Sequence, residues 1–464
     1  MKFNPNDTIV ALATAHGSAA IAIIRLSGPT AIATVDGFFH NRSLKKTSLL
    51  NKASHSANFG LLIHQGILLD EVLVTIFKGS NSYTGQESAE VACHGSPFIQ
   101  QQLLQLFLNA GARMAQPGEF TLRAFLNGKL DLSQAEAVAD LIASNSAVSH
   151  QVAMQQMRGG FSSKIKVLRD NLINFASLLE LELDFSEEDV EFANRADLTH
   201  LISSIQKVIH TLINSFDLGN VIKNGIPVAI VGKPNAGKST LLNALLNDDR
   251  AIVSEIPGTT RDTIEDEISI EGVLFRFIDT AGLRASSDVI EQIGVERAYE
   301  VIRKSAIIIY LFDAHDLSSG DLKLELTQLN EHLGSSQLIL VANKIDTEEL
   351  TYLQDEFNEF PELLYISAKE KRNLHHVTNK LISIFDGRSL DTSDTIVTNA
   401  RHVSSLRNAA TALQNVHEGL INNIASDFLA LDIRYALEEL GHITGEVNNE
   451  DLLENIFMKF CIGK

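Results

Sequence analysis

The stretch GKPNAGKS, residues 232–239, is the feature that most narrows the folds open to this chain. It fits the pattern G-x-x-x-x-G-K-[ST] and stands between a β-rich run, GIPVAIV, and a helical run, TLLNALL. A loop in this position turns backbone N–H groups and the positive end of the following helix toward phosphates. We therefore predict a nucleotide site in which Lys238 reaches the β- and γ-phosphates and Ser239 binds Mg²⁺, with Gly237 and Thr240 beside them.

Length and composition indicate how many domains to expect and in which cellular environment the chain is found. Its 464 residues are too many for one core, so we expect about three domains. We expect no membrane span, because no apolar run reaches the roughly 18 residues that one needs. Two cysteines, Cys93 and Cys461, provide no disulfide framework, which favours a reducing, cytoplasmic environment. The net charge of −20 argues against nonspecific wrapping of nucleic acid.

Four segments of the chain differ in their periodicity. Residues 1–121 alternate apolar runs such as AIAIIRLSG with turns, which predicts an α+β N-terminal domain. Residues 122–223 and 388–464 have helical periodicity. Residues 224–387 alternate β-branched runs with helical stretches, which is typical of an α/β domain with a mainly parallel sheet. Each helical segment needs a partner face, so we expect one discontinuous α-helical domain with the α/β domain inserted into it.

Capping residues predict two helix ends. Ser133 and Glu136 have the spacing of a capping box, and Gly441 follows the run DFLALDIRYALEEL as a C-cap. A last helix, DLLENIFMKF, precedes the terminal FCIGK, and its apolar residues recur at helical spacing. The terminal Cys-Ile-Gly-Lys fits a prenylation signal poorly, because its last residue is Lys.

Two motifs after the phosphate loop concern the phosphates. Asp279-Thr280-Ala281-Gly282 follows VLFRFI, where Asp279 can reach the Mg²⁺ shell and the Gly282 N–H can lie beside the γ-phosphate. Thr259-Thr260 lies in the loop after the first helix of this domain. We expect this loop to be a switch, with the Thr260 hydroxyl as a second ligand to Mg²⁺.

Two later motifs select the base. Asn343-Lys344-Ile345-Asp346 follows LILVA, and its Asp346 carboxylate can accept two hydrogens from guanine N1 and N2, a pair that adenine lacks. Ser367-Ala368-Lys369 follows LLYI and suits backbone contact with the base. The motifs together predict a GTP-binding domain.

The residue that orients the attacking water is not evident from the motifs. Leu283 stands where many GTPases have a Gln, and its side chain cannot hold a water. Arg261 and Arg284 are nearby, and Glu291 could polarise water through a second water. Each of these three residues could instead be an ordinary surface charge.

With these motifs and the tail read together, the chain resembles the MnmE (TrmE) family of tRNA-modification GTPases over its whole length. PGEFTLRAFLNGKLDLSQAEAVADLI, LDFSEEDVEF and GEVNNEDLLENIFMKFCIGK fall in the family order. The resemblance implies a folate-binding-like N-terminal domain, a discontinuous helical domain, an inserted G domain and a homodimer. It also implies that K⁺ replaces an arginine finger, with Asn235, Ser254, Ile256 and Thr259 as ligands, and that Glu291 is the catalytic glutamate.

The resemblance further implies a partner and a one-carbon donor. The family works with an FAD protein, MnmG (GidA), in a heterotetramer that adds aminomethyl or carboxymethylaminomethyl groups to carbon 5 of the tRNA wobble uridine. The carbon comes from a tetrahydrofolate, in a 5-formyl or methylene form. By motif match, its pocket residues would be Arg25, Glu90, Lys129 and Lys464, and Cys461 would be a catalytic group presented to that pocket.

Two loops depart from the family pattern, and one alternative function stays open. ATAHGSAA and CHGSP replace glycine-richer loops, which puts the fit of the pterin in question. The alternative is a ribosome-assembly GTPase that holds RNA without modifying it. That function predicts a basic module after the G domain, whereas the segment found there is helical and acidic.

Overall fold

The computed structural model describes residues 6–184, 195–247, 251–253, 266–278, 301–334, 336–346, 350–386, 395–422, 424–447 and 450–463. The chain divides into two compact units, each assembled from separate stretches of sequence. The first unit comprises Met1–Ala139, Gln155–Gln206 and Ser405–Lys464, and the second comprises Asp140–Met154 and Lys207–Ser404. The architecture is therefore multidomain, as expected, while the four boundaries given above stay a prediction.

The first unit contains a seven-stranded sheet with the strand order β3-β4-β5-β6-β2-β1-β7. Its neighbouring strands run antiparallel except for β1 and β7, which are parallel. The strands are β1 (Ile9–Leu12), β2 (Ile21–Ser27), β3 (Phe39–His40), β4 (Ser56–His64), β5 (Ile67–Phe77), β6 (Ser88–His94) and β7 (Arg113–Met114).

Alternation along the strands gives this sheet two different faces. In β5, Val72, Val74 and Ile76 are buried, whereas Leu73 between them is 42% exposed. The buried side chains form one core with residues of α1 (Ala31–Asp36) and α2 (Pro97–Asn109). Arg25 and Glu90, which pair across β2 and β6, lie on the other face. On this face Phe120 of the following helix packs with Ile9 and Ala11 of β1, while Arg25 and Glu90 keep about a quarter of their side-chain surface exposed and so available to a ligand.

A buried ion cluster fixes helix α3 (Glu119–Leu126) to the start of the chain. The Arg123 side chain is fully buried, and its Nη2 lies 2.5 Å from Asp7 Oδ1 and 3.0 Å from Glu119 Oε1. Arg113 contacts the same two carboxylates, and the Glu119 carboxylate raises the pKa of that guanidinium. Burial favours the neutral form of Asp7, yet hydrogen bonds from Arg113 and Arg123 hold its pKa below the usual value. The paired charges offset the cost of burying Arg123.

The remaining helices outside the second unit's sheet layers have residues in the first unit, in the second, or in both. They are α4 (Leu132–Ala143), α5 (Ala147–Met157), α6 (Gly160–Asp184), α7 (Arg195–Asn214), α8 (Phe216–Asn224), α13 (Ala400–Ile421), α14 (Ser426–Thr444) and α15 (Glu450–Phe457). Within the first unit, α6 packs along α14. Arg169 of α6 pairs with Glu446, just beyond the end of α14.

Both capping predictions were wrong by about one turn or less. At the start of α4, Asp131 Oδ1 accepts the Gln134 N–H at 2.9 Å, and Gln134 Oε1 accepts the Asp131 N–H at 2.9 Å. This is the reciprocal pattern of a capping box, but it begins two residues before Ser133. Helix α14 continues through Gly441 to Thr444 and ends at Gly445, whose φ of 82° is left-handed.

The second unit contains a seven-stranded sheet with the order β14-β13-β12-β8-β11-β10-β9. Five neighbouring strands, β14 to β11 in that order, are parallel, as predicted, and β10 and β9 are antiparallel. The strands are β8 (Ile226–Val231), β9 (Ala251–Val253), β10 (Asp266–Ile270), β11 (Val273–Phe277), β12 (Ile307–Asp313), β13 (Gln337–Asn343) and β14 (Leu364–Tyr365).

Every residue of the central strand β12 is buried, because helices cover both faces of a parallel sheet. The helices of this unit that connect the strands are α9 (Lys238–Leu246), α10 (Ser319–Leu333), α11 (Leu350–Glu356) and α12 (Leu374–Asp386). Ile307 and Ile309 pack on one face with α9 and α12, whereas Ile308 and Tyr310 pack on the other with α10 and α11. Among the described residues, none of the helices is long and apolar enough to cross a bilayer.

Candidate nucleotide site and N-terminal pocket

The phosphate loop joins β8 to α9, as its sequence predicts. Gly237 has a left-handed φ of 98°, and a Cβ at this position would overlap the side-chain nitrogen of Asn343. Lys238 Nζ donates to the carbonyls of Gly232 at 2.7 Å and Lys233 at 2.8 Å. Burial lowers the pKa of Lys238. These carbonyls hold the ammonium within the loop, where it can exchange them for phosphate oxygens.

Asn343 connects the phosphate loop to the two base-selecting motifs. Its side chain is buried, and its Nδ2 donates to the Ala236 carbonyl at 2.8 Å while its Oδ1 accepts the Ala368 N–H at 3.0 Å. Each bond lies within normal hydrogen-bond geometry. Asn343 thus links the phosphate loop to the segment predicted to contact the base, which includes the exposed Lys369.

The Asp346 side chain is exposed to solvent, and a hydrogen bond favours its ionised form. Its Oδ1 accepts the Ser367 hydroxyl at 2.6 Å, and this hydrogen bond lowers the pKa of the carboxyl. Ser367 is fully buried, and its hydroxyl oxygen also accepts the Glu370 N–H at 3.2 Å. A carboxylate that is ionised and held by a buried hydroxyl suits recognition of the two guanine N–H groups.

The rest of the predicted nucleotide site falls into two groups. Asn235 has a left-handed φ of 65° and is exposed on the loop, while Ser239 and the exposed Thr240 lie in the first turn of α9. The remaining residues lie outside the described part of the chain: Ser254, Ile256, Thr259, Thr260, Asp279, Gly282 and Glu291.

In the first unit, Arg25 and Glu90 meet as an ion pair. Arg25 Nε and Nη2 each lie 2.9 Å from Glu90 Oε1, and both side chains keep about a quarter of their surface exposed. The guanidinium carbon lies 5.5 Å from the centre of the Tyr83 ring and 5.7 Å from that of Phe120. Aromatic faces at this range stabilise a cation and fix the plane of the guanidinium.

The two aromatic partners are residues that sequence reasoning missed. Tyr83 lies within a polar loop, SNSYTGQES, and Phe120 is the second residue of α3, so neither has a local signal that links it to Arg25. Tyr83 donates or accepts a hydrogen bond with Thr121 at 2.9 Å, and burial raises its pKa. Tyr83 and Lys129 also share an open cavity of about 400 Å³ with His55, Phe77, Asn81 and Ser82. Of the four predicted pocket residues, Arg25 and Lys129 therefore lie beside Tyr83, and Glu90 is connected to it through Arg25.

The C-terminal tail lies against the same unit. Leu453 and Phe457 of α15 are buried against Leu122 of α3, with Phe460 partly buried beside them. The Gly118 N–H donates to the Cys461 carbonyl at 3.3 Å. Gly463 is buried with a left-handed φ of 99°, and a Cβ there would overlap the Leu12 carbonyl at the end of β1. The Cys461 side chain is exposed, and Lys464 lies outside the described residues.

The two loops that depart from the family pattern bind each other. The Ala19 N–H donates to the Gly95 carbonyl at 3.0 Å, and the Gly95 N–H donates to the Ala20 carbonyl at 3.3 Å. Cys93 points into the core, where burial, followed by the charge of Asp70, raises the pKa of its thiol to about 11. Cys93 is therefore a core packing residue, and its side chain lies on the face of the sheet opposite to Arg25 and Glu90.

Comparison with known proteins gives matches along the whole chain. The family described as the GTP-binding protein TrmE N-terminus matches residues 8–129, and the MnmE helical domain matches residues 132–461. A tRNA modification GTPase MnmE of Flavobacterium psychrophilum is 54% identical over 99% of both chains, and one of Flavobacterium johnsoniae is also 54% identical over 99% of both. The G domain of FeoB from Methanococcus jannaschii matches 34% of this chain and 96% of its own, with 25% identity and a TM-score of 0.24.

We predict that Asp346→Asn will weaken GDP binding by more than about tenfold, because an amide cannot accept both guanine hydrogens. The same variant should gain affinity for xanthosine diphosphate, whose ring carries an oxygen at carbon 2. Fluorescence titration with both nucleotides measures the ratio. An unchanged preference for GDP would contradict the role given to Asp346.

Proposed function

This chain belongs to the MnmE family of tRNA modification GTPases, and we propose that its GTP hydrolysis is K⁺-dependent and drives modification of the tRNA wobble uridine at carbon 5. The added group is aminomethyl or carboxymethylaminomethyl, and a tetrahydrofolate supplies its carbon. The full-length relatives that are named for tRNA modification disfavour the alternative of an RNA-holding switch in ribosome assembly.

The observation that carries the proposal is the position of the C-terminal tail on the N-terminal sheet. Gly463 lies against Leu12, one residue along β1 from Ala11, and Ala11 pairs with Arg25 of β2. The exposed thiol of Cys461 therefore belongs to the same unit as the Arg25–Glu90 pair. GTP binding and hydrolysis alone do not require a C-terminal thiol in the same unit as the Arg25–Glu90 pair.

The polar groups of this region fit a folate. Glu90 can accept hydrogen bonds from the amino-pyrimidine edge of a pterin, and Arg25 holds that carboxylate in place at 2.9 Å. Lys129 is exposed at the cavity beside Tyr83, where an ammonium can attract the carboxylates of a folate tail. Lys464 would add a second cation. The bound 5-formyl or methylene form supplies the one-carbon unit, and Cys461 is the group we propose to act on it or on the uridine.

For the nucleotide, we propose that Ser239 and Thr260 hold Mg²⁺ and that Asp279 and Gly282 complete the phosphate site. K⁺ would be held by Asn235, Ser254, Ile256 and Thr259, and its charge would stabilise negative charge that develops between the β- and γ-phosphates. Asn235 supports this proposal because its left-handed backbone holds an exposed amide on the phosphate loop. Glu291 would polarise the attacking water, a role that Leu283 cannot fill.

Several partners follow from this proposal. We infer a homodimer built through the N-terminal domains, and a heterotetramer with the FAD protein MnmG. Because this chain carries a net charge of −20, the partner would supply much of the contact with tRNA. A cytoplasmic location agrees with a tRNA substrate.

Mass spectrometry of tRNA nucleosides from cells that lack this chain tests the function. We expect the carbon-5 modification of the wobble uridine to disappear, to return with the parental gene, and to stay absent with Cys461→Ser although that variant hydrolyses GTP normally. Modification that persists in the deletion strain would refute the proposed function. Full rescue by Cys461→Ser would limit the cysteine to a packing role.

GTP hydrolysis should be at least about tenfold faster in K⁺ than in Na⁺, because a ligand shell shaped for K⁺ holds the smaller ion poorly. Asn235→Ala should remove most of this difference while GDP affinity stays within about twofold. Steady-state phosphate release at matched ionic strength measures both effects. Equal rates of the parental protein in the two salts would exclude the K⁺ site.

A further inference from the structure

A turn at the end of β12 contacts the neighbouring base-selecting segment through both side chains and backbone. Asp313 Oδ2 lies 2.5 Å from Lys344 Nζ, and the Asp313 side chain is only 10% exposed. The His315 ring donates from Nε2 to the Lys344 carbonyl at 3.1 Å, and the Ala314 N–H donates to the Asn343 carbonyl at 3.1 Å. We call residues 313–315 the β12 turn.

The β12 turn is itself held in one conformation. Asp313 Oδ1 accepts the His315 N–H at 3.1 Å, so this carboxylate binds Lys344 with one oxygen and its own turn with the other. The buried position of Asp313 at the end of a fully buried strand leaves it little freedom to move. A carboxylate that is fixed in this way can determine where a long, flexible lysine side chain lies.

The Lys344 backbone has an unfavourable conformation, so contacts with neighbouring residues are needed to hold it. Its φ is 69°, a left-handed conformation that side-chain-bearing residues rarely adopt. The β12 turn binds this residue at both its carbonyl oxygen and its ammonium. Strained backbone is retained where surrounding contacts determine it, and such residues are common at ligand sites.

We propose that Asp313 and His315 are positioning residues for guanine-nucleotide binding and that they act through Lys344. With its ammonium drawn to Asp313, Lys344 presents its four-carbon stem as an apolar surface for the flat face of the purine, two residues from the base-reading Asp346. This inference rests on the proposed GTP-binding function and on the candidate base site around Asp346 and Ser367. Residues 313–315 belong to none of the nucleotide-binding motifs, so their role in binding is not evident from those motifs.

The proposed task differs in kind from that of Asp346. Asp346 reads the exocyclic amino group of guanine, which hypoxanthine lacks, so its loss should affect GDP more than inosine diphosphate (IDP). A stem that covers the face of the ring contacts both bases equally. Loss of the β12 turn contacts should therefore lower the affinities for GDP and IDP by one common factor.

The experiment measures dissociation constants of the full chain for GDP and IDP by fluorescence competition. Asp313→Asn should weaken both nucleotides by about three- to tenfold, because one charged contact to a partly exposed lysine is lost. His315→Ala should weaken both by a smaller common factor, and His315→Gln, which keeps a donor, should restore part of it. Asp316→Asn is the matched control, since it removes the same charge from an exposed position three residues away.

The ratio of the two affinities separates positioning from general damage. A fall in GDP affinity alone would overturn the proposal, since it would show that the variant disturbs Asp346. Parental affinity in both Asp313→Asn and His315→Ala would also overturn it. If Asp313→Asn does not fold, as judged by thermal unfolding without nucleotide, the two His315 variants decide the question. Loss of tRNA modification has no bearing on these titrations, so failure of the proposed function is recognised separately.

Discussion

The position of helix α3 depends on the buried charge of Arg123. Its guanidinium joins Glu119 in the same helix to Asp7, which precedes the first strand, and to the side-chain oxygen of Gln86 at 2.9 Å. Removing one partner from a buried ion pair leaves an uncompensated charge, and this typically costs about 3–5 kcal/mol. The cluster therefore fixes α3 against the sheet. The elements that pack on α3 depend on the cluster for their own positions.

The C-terminal tail and the helix before it pack against α3. Gly118, directly before the helix, donates its N–H to the Cys461 carbonyl, and its lack of a Cβ leaves room for the Phe457 carbonyl, which a Cβ would overlap. Arg25, whose guanidinium stacks on Phe120 of α3, lies in the same unit. One helix thus connects the ion cluster, the aromatic surroundings of Arg25 and the last residues of the chain. This arrangement explains how a tail beyond the last helix can belong to a site.

Short sequence patterns predicted much of this fold, but they did not predict contacts between residues that are far apart in the sequence. The phosphate loop, the parallel strands and the apolar face of α15 follow from short patterns, and the structure agrees with each. The two helix caps were missed because neighbouring residues had the same capping chemistry: Asp131 caps α4 instead of Ser133, and Gly445 ends α14 instead of Gly441. Tyr83 reaches Arg25 across 58 positions, and Asp313 reaches Lys344 from another strand. Such pairs depend on the topology of the sheet, which no local pattern contains.

The central claim is that the C-terminal tail completes a folate site on the N-terminal domain. Equilibrium dialysis of 5-formyltetrahydrofolate against the full chain and against a chain without residues 461–464 tests it directly, with GDP affinity as the control. We expect the truncated chain to bind the folate at least about tenfold more weakly, since it loses a cation and the contacts of the tail, while GDP affinity stays unchanged. Equal folate affinities of the two chains would contradict the claim.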